Sequence, residues 1–178
     1  MSETIRIGAI GSGGNARGHM RRYDAMEGVE LVAIADPSEA ALKAAFEVVP
    51  GADKLPTFTN HKDMLNEVEM DAVMISTPHT LHYEQIMDAF AADLHVLCAK
   101  PMVCNTTHAK RVIETWKKSG KVMCVSYQRH TTGAFRYCRD RIASGELGKV
   151  LFINSLQSQA WYQSQVGNNT WRSQMKWS

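Results

Sequence analysis

An apolar run, Ile5 to Ile10, enters a turn crowded with glycines at Gly11, Gly13 and Gly14, and few features constrain a fold as tightly. Gly11, Gly13 and Ala16 fit the spacing G-x-G-x-x-[GA] of a strand that turns sharply into a helix. The first glycine makes the turn, the second lets a phosphate approach the backbone, and the small third residue lets helix lie against strand. The helix behind such a turn aims unpaired N–H groups at an anion. Methyl-donor sites and plain tight turns also cluster glycines, so the turn alone leaves its ligand open.

One strand later, Leu31 to Ala35 runs into Asp36, an acid about 20 residues beyond the glycines, where a carboxylate can accept both hydroxyls of an adenosine ribose. Asp36 also stands where it could cap the next helix, with Pro37 at the first helical position and Ser38 and Glu39 in the first turn. The two roles are compatible. No arginine follows Asp36 to receive a 2′-phosphate, which favours NAD over NADP.

The chain has 178 residues, 44% hydrophobic and 21% charged, enough for one well-buried domain and a little more. A net charge of +2 with dispersed lysines and arginines argues against nucleic-acid or membrane-surface partners and for a small-molecule ligand held locally. Cys98, Cys104, Cys124 and Cys138 lack C-x-x-C spacing, and Cys98 and Cys124 sit in apolar runs, which reads as reduced core thiols of a cytoplasmic protein. No apolar stretch approaches the roughly 20 residues of a membrane span. Glycines interrupt the apolar N-terminal segment, which argues against a signal peptide.

Apolar runs at 5–10, 31–35, 72–76, 95–98 and 122–126 read as strands, alternating with helical spacing over 38–48, 80–92 and 106–119. Gly120 is a C-terminal stop for the last helix, 50–56 reads as a loop and 57–59 as a short extra strand. The alternation predicts an α/β fold, a doubly wound parallel sheet with helices on both faces. Residues 131–144 then read as a connecting helix and 150–156 as a strand opening a second, incomplete α/β unit. The expected division is 1–128 and 129–178. One strand makes no sheet, so it joins the first sheet, is completed by another chain, or marks the sequence as a fragment.

Two further clusters carry chemistry. Ser76-Thr77-Pro78 ends the third strong strand, the ligand edge of an open parallel sheet, where Thr77 and Pro78 can form a floor under a dinucleotide or simply a turn. His79 and His82 are three apart on a helical turn, but no Cys, Asp or Glu completes a metal site, and none is expected. Lys100-Pro101 ends a buried strand. A lysine there could orient a hydroxyl or relay a proton, partial burial lowering its pKa, but the reading expected from these residues alone is a stem that snorkels to the surface.

Taken together, the glycine loop with His19, the Asp36 strand end, Thr77-Pro78 with His82, Lys100-Pro101 and Tyr127-x-Arg129 resemble the glucose-fructose oxidoreductase, inositol dehydrogenase and rhizopine catabolism family (Gfo/Idh/MocA). The resemblance implies a Rossmann-type NAD(P)-binding domain followed by an α/β domain that supplies the substrate site and usually an oligomer face. It implies that Gly11, Ser12, Gly13, Gly14 and Asn15 hold the pyrophosphate and Asp36 the ribose. Thr77, Pro78 and His82 would line the dinucleotide, and Lys100, the catalytic candidate, with Pro101 would lie by the nicotinamide ribose. Arg129, and more loosely Trp171 and Arg172, would approach the nicotinamide end.

The activity so implied is hydride transfer between a nicotinamide cofactor and a hydroxyl-bearing carbon of a sugar or polyol, with a homo-oligomer where the second domain is complete. The alternatives are an NAD-retaining glycosidase of the same family and a non-catalytic dinucleotide-binding regulator or partner subunit. Two departures bear on activity. Ala99 stands where the resemblance calls for Glu before Lys-Pro, and Ser178 comes before any Asp-x-Gly-x-His segment. The expectation is that the 178-residue chain binds dinucleotide and turns over little or nothing.

Overall fold

The computed structural model describes residues 4–160, Trp171 and Gln174. Six strands, β1 (Ile5–Ile10), β2 (Val29–Ala35), β3 (Thr57–Phe58), β4 (Ala72–Ile75), β5 (His95–Cys98) and β6 (Met123–Val125), form one parallel sheet. Their order is β3-β2-β1-β4-β5-β6. Among the described residues six α-helices accompany them: α1 (Gly14–Asp24), α2 (Glu39–Phe46), α3 (His61–Glu67), α4 (His82–Ala91), α5 (Thr106–Ser119) and α6 (Gly133–Ala143).

Alternating side chains feed two cores, as a sheet covered on both faces requires. Val73 and Ile75 of β4 join Met64, Ile86 and Phe90 on one face, while Met74 joins Ile7, Ala9, Met20 and Ile34 on the other. Each large aliphatic side chain so buried contributes roughly 1.5–3 kcal/mol. The chain winds outward from β1 in both directions, so the crevice beyond the C-terminal ends of β1 and β4 is the topological switch point of the sheet.

β1, β5 and α5 keep the bounds that the sequence pattern predicts, and α5 ends at Gly120 with φ 68°. Three expectations change. Helix α2 is capped by Ser38, whose hydroxyl accepts from Ala41 N–H, so Pro37 lies outside the helix and Asp36 is not its cap. Helix α3, absent from the sequence reading, is capped by Asn60, which accepts from Lys62 N–H at 2.9 Å. Residues 150–156 form no strand, because a strand exists only where a neighbour takes its N–H and C=O groups and none of the six strands does so. Leu151, Phe152 and Leu156 consequently stand exposed. No helix among the described residues is long and apolar enough to cross a membrane.

Candidate functional site

Gly11 carries the turn out of β1. Its φ is +96°, and a Cβ built on it would lie 2.5 Å from the Ser76 carbonyl oxygen, so both backbone angle and space demand glycine. Gly11 N–H donates to Ala35 O at 2.7 Å, tying the turn to the end of β2. Gly13 is different. As N-cap of α1 it has φ −64° and ψ 176°, angles open to any residue, and a Cβ there would meet nothing within 4 Å. The protein does not need that glycine, but an anion pressed onto the backbone would. No side chain caps α1 and its first turn holds no acid, so the helix N-terminus is left to such an anion. Asn15 Nδ2 donates to Ser76 Oγ at 2.8 Å and fixes the turn to the end of β4.

Asp36 lies at the end of β2. Its Oδ2 accepts from both Ser12 N–H (2.8 Å) and Ser12 Oγ–H (2.9 Å), and its Oδ1 accepts from Ser38 N–H at 2.9 Å. A carboxylate offers about four acceptor sites, so this arrangement leaves room for about one more donor. One ribose hydroxyl fits directly, and a second requires the Ser12 hydroxyl to turn away. Ser12 is fully buried and stands behind the cleft wall as the partner that orients Asp36.

His82 is also fully buried. Its Nε2 is 3.0 Å from Thr77 O and its Nδ1 2.8 Å from Pro101 O, so one ring ties the loop after β4 to the loop after β5. Thr77 Oγ1 donates to Gln85 Oε1 at 2.6 Å, a second tether for the same loop. Cys98, beside the ring, has its thiol pushed up to about 12 by burial, whereas Cys124, expected in the core with it, is exposed because β6 is an edge strand.

These edges enclose one cleft of about 1100 Å³, above the roughly 300–1,000 Å³ of ordinary small-molecule pockets, as an extended two-part ligand requires. Gly11, Gly13, Gly14, Asn15, Asp36, Thr77, Pro78 and Lys100 line it, as the sequence leads one to expect. Ser12, His82 and Pro101 do not, since they brace the wall from behind. Arg129 lies in the turn Gln128–Thr131, exposed and outside the lining, where Tyr127, Gln128 and Thr131 face the cleft instead. Lys100 is exposed, two residues past the end of β5, as expected of a lysine whose stem snorkels to the surface. Ala99 beside it lines the cleft, and no carboxylate pairs with Lys100 among the described residues.

His19 lines the cleft from α1, its imidazole pushed below the ordinary range by burial and then by the Arg22 guanidinium. Trp171 lines it too, edge-on to His79 at 4.8 Å between ring centroids, and Arg172 lies outside the described residues. No cluster of metal-binding side chains occurs among the described residues. The sequence reading passed over Thr59, Asn60 and His61, which line the cleft from the end of β3. Recognising α3 would have found them, because each strand's C-terminal edge contributes its next residues to the lining.

A glycine turn demanded by Ser76, an open helix N-terminus and an acid closing the second strand define a dinucleotide-binding domain of Rossmann type. The sequence profile described as the oxidoreductase family with NAD-binding Rossmann fold, Gfo/Idh/MocA, matches residues 5–127, and the chain belongs to this family. An inositol 2-dehydrogenase of Arthrobacter sp. (strain FB24) is 31% identical over 156 residues, covering 86% of this chain and 45% of that protein. An inositol 2-dehydrogenase of Corynebacterium glutamicum (strain R) is 30% identical over 158 residues, 88% of this chain and 46% of its own length. The chain thus spans slightly under half the length of these relatives.

Among solved structures, myo-inositol 2-dehydrogenase from Lactobacillus plantarum aligns with TM-score 0.73 and 26% identity over 83% of this chain and 43% of that one. The WlbA dehydrogenase from Bordetella pertussis, in complex with NADH and UDP-GlcNAcA, aligns with TM-score 0.74 and 27% identity over 83% and 44%.

Proposed function

We propose that this chain is the cofactor-binding portion of an NAD-dependent oxidoreductase acting on a hydroxyl-bearing carbon of a sugar, polyol or related compound. One observation carries the reading: Asp36 and Lys100 stand on either side of the glycine turn in a single cleft along the sheet edge. The bound nicotinamide would supply the hydride chemistry, and the residues here would hold and orient it. The N-terminus of α1 would take the pyrophosphate and Asp36 a ribose hydroxyl, a carboxylate that would also repel a 2′-phosphate and so disfavour NADP. His82 holds the Thr77 and Pro101 loops at a fixed separation, and Lys100 would donate to the reacting hydroxyl or help move its proton.

The inositol dehydrogenases among the relatives support a polyol, and the WlbA structure supports a nucleotide-linked sugar acid. Fluorescence titration with NADH and NADPH, followed by absorbance assays across inositols, sugars and sugar acids, tests the proposal. Failure to bind NADH would overturn it.

A second reading, a dinucleotide-binding partner subunit without turnover, is favoured by the exposed Lys100 and by Ala99 beside it. Tight NADH binding with no reaction across the panel would select it. The division at residue 128, a cytoplasmic location and a homo-oligomer built through a second domain belong to the same proposal. Exposed Leu151, Phe152 and Ile153 are what a strand awaiting its neighbours presents.

A further inference from the structure

The order of the strands fixes the order of subsites along the cleft. Lys100 follows β5, Thr77 follows β4, the glycine turn follows β1 and Asp36 follows β2, so a dinucleotide with its pyrophosphate on α1 and a ribose on Asp36 directs its base toward the end of β3. There Thr59, Asn60 and His61 line the cleft, with Leu81 and Glu84 contributed from the start of α4.

His61 is the first residue of α3, and its side chain is only 14% exposed. Its Nε2 lies 2.9 Å from Asp88 Oδ2 of α4. An ionised carboxylate only accepts, so Nε2 carries the hydrogen, and in the neutral ring Nδ1 is left as an acceptor. Asp88 is held in turn: Lys62 Nζ is 3.6 Å from its Oδ2 and 2.7 Å from Glu84 Oε1. No hydrogen bond fills His61 Nδ1 among the described residues. His61 lines the cleft, so the sheet edge carries an imidazole with a fixed tautomer beside the place where the base arrives.

We infer that His61, its tautomer fixed by Asp88, selects an amino-bearing purine, which makes it the residue that reads the adenine end of the cofactor. The inference rests on the dinucleotide reading above and adds a specificity that reading does not require. Adenine carries a 6-amino donor for Nδ1. Hypoxanthine carries an oxo acceptor at the same position, and its lone pairs oppose those of the imidazole nitrogen. A site built around one hydrogen-bonding group rejects the analogue that cannot answer it, because a buried polar atom is then left unpaired.

The probe pair is NADH and deamino-NADH, which differ at that one group. Binding is measured by fluorescence and calorimetry with the 178-residue chain. Deamino-NADH is expected to bind about tenfold more weakly, and His61→Phe to bring the two within about twofold. Asp88→Ala, which frees the ring to adopt either tautomer, is expected to narrow the gap while His61 remains. Melting temperatures establish that each variant is folded, and Asp88→Ala carries the test if His61→Phe is not. Equal affinities in the unsubstituted chain, or a gap that survives in both variants, overturn the inference while leaving the dinucleotide reading standing. If neither compound binds the unsubstituted chain, both fall together.

Discussion

The two glycines of the turn allow fold and ligand to be separated by one substitution each. Gly11→Ala forces a side chain into the left-handed region at φ +96°, at a cost of roughly 1–2 kcal/mol. The new Cβ would also sit 2.5 Å from Ser76 O and 2.9 Å from Ser76 C. Those are backbone atoms of the strand end that Gly11 abuts, not the tip of a flexible side chain, so relief needs movement of β1 against β4. Overpacking of that kind adds about 1–3 kcal/mol, bringing the total to about 2–5 kcal/mol. At about 2–4 °C per kcal/mol for a chain of this size, the melting temperature should fall by roughly 4–20 °C.

Gly13→Ala should leave stability within about 0.5 kcal/mol, because its backbone angles are ordinary and its surroundings empty. What the methyl group occupies is the approach to the N-terminus of α1. NADH affinity should fall by about tenfold or more, equivalent to about 1.4 kcal/mol. Thermal melts and NADH titrations on both variants form the assay. A Gly13→Ala chain that binds NADH as tightly as the unsubstituted one would refute the placement of the anion. An unshifted melt for Gly11→Ala would refute the close approach of the two strand ends.

Replacing His82 by Phe removes the ring that links Thr77 O and Pro101 O, and the loss of its hydrogen bonding should destabilise by about 1–3 kcal/mol, read by denaturant unfolding. Asp71 is held below its ordinary 3.8 by the Arg6 side chain and then the Arg6 N–H. With the folded value depressed, its contribution is present above 3.8 and is lost as pH falls through the folded value, so Asp71→Asn should flatten the acid limb of stability, followed by melts from neutral pH down past 3.8. Buried Cys98, its thiol pushed up to about 12, should resist maleimide in the folded chain, while exposed Cys104, Cys124 and Cys138 label. Cys124 lines the cleft, so saturating NADH should slow its labelling and leave Cys104 and Cys138 unchanged, as mass spectrometry would resolve.

What the sequence made legible follows from how each element is stabilised. β1 and β5 are short apolar runs buried between helices, and α5 carries a capping Asn105 whose side chain accepts from His108 N–H and a left-handed Gly120 that stops it. Signals of that kind are local and can be read in place. Helix α3 has a local cap in Asn60, but among seven residues it buries only Met64, too little for a three-and-four pattern. Its helicity comes from packing beside β2 and α4, which no local window contains. Residues 150–156 fail in the opposite sense: the apolar run is evident, but strand structure depends on a partner that the run does not encode.

The site divides along the same line. Gly11 and Asp36 could be placed because their roles are written in the backbone turn and the strand end next to them. Ser12, His82 and Pro101 belong to the same motifs, yet two of these side chains and one carbonyl face inward, bracing Asp36 and joining two loops. A motif records which residues a site requires; it does not record on which side of the wall each one stands. Lys100 marks the other limit. The sequence placed it at a buried strand end, but Cys98 is the last residue of β5 and two further residues carry the lysine clear of the core into solvent. For a residue whose chemistry depends on desolvation, that displacement matters more than its identity, which is why Lys100 invites a direct test of turnover and Gly13 a direct test of binding.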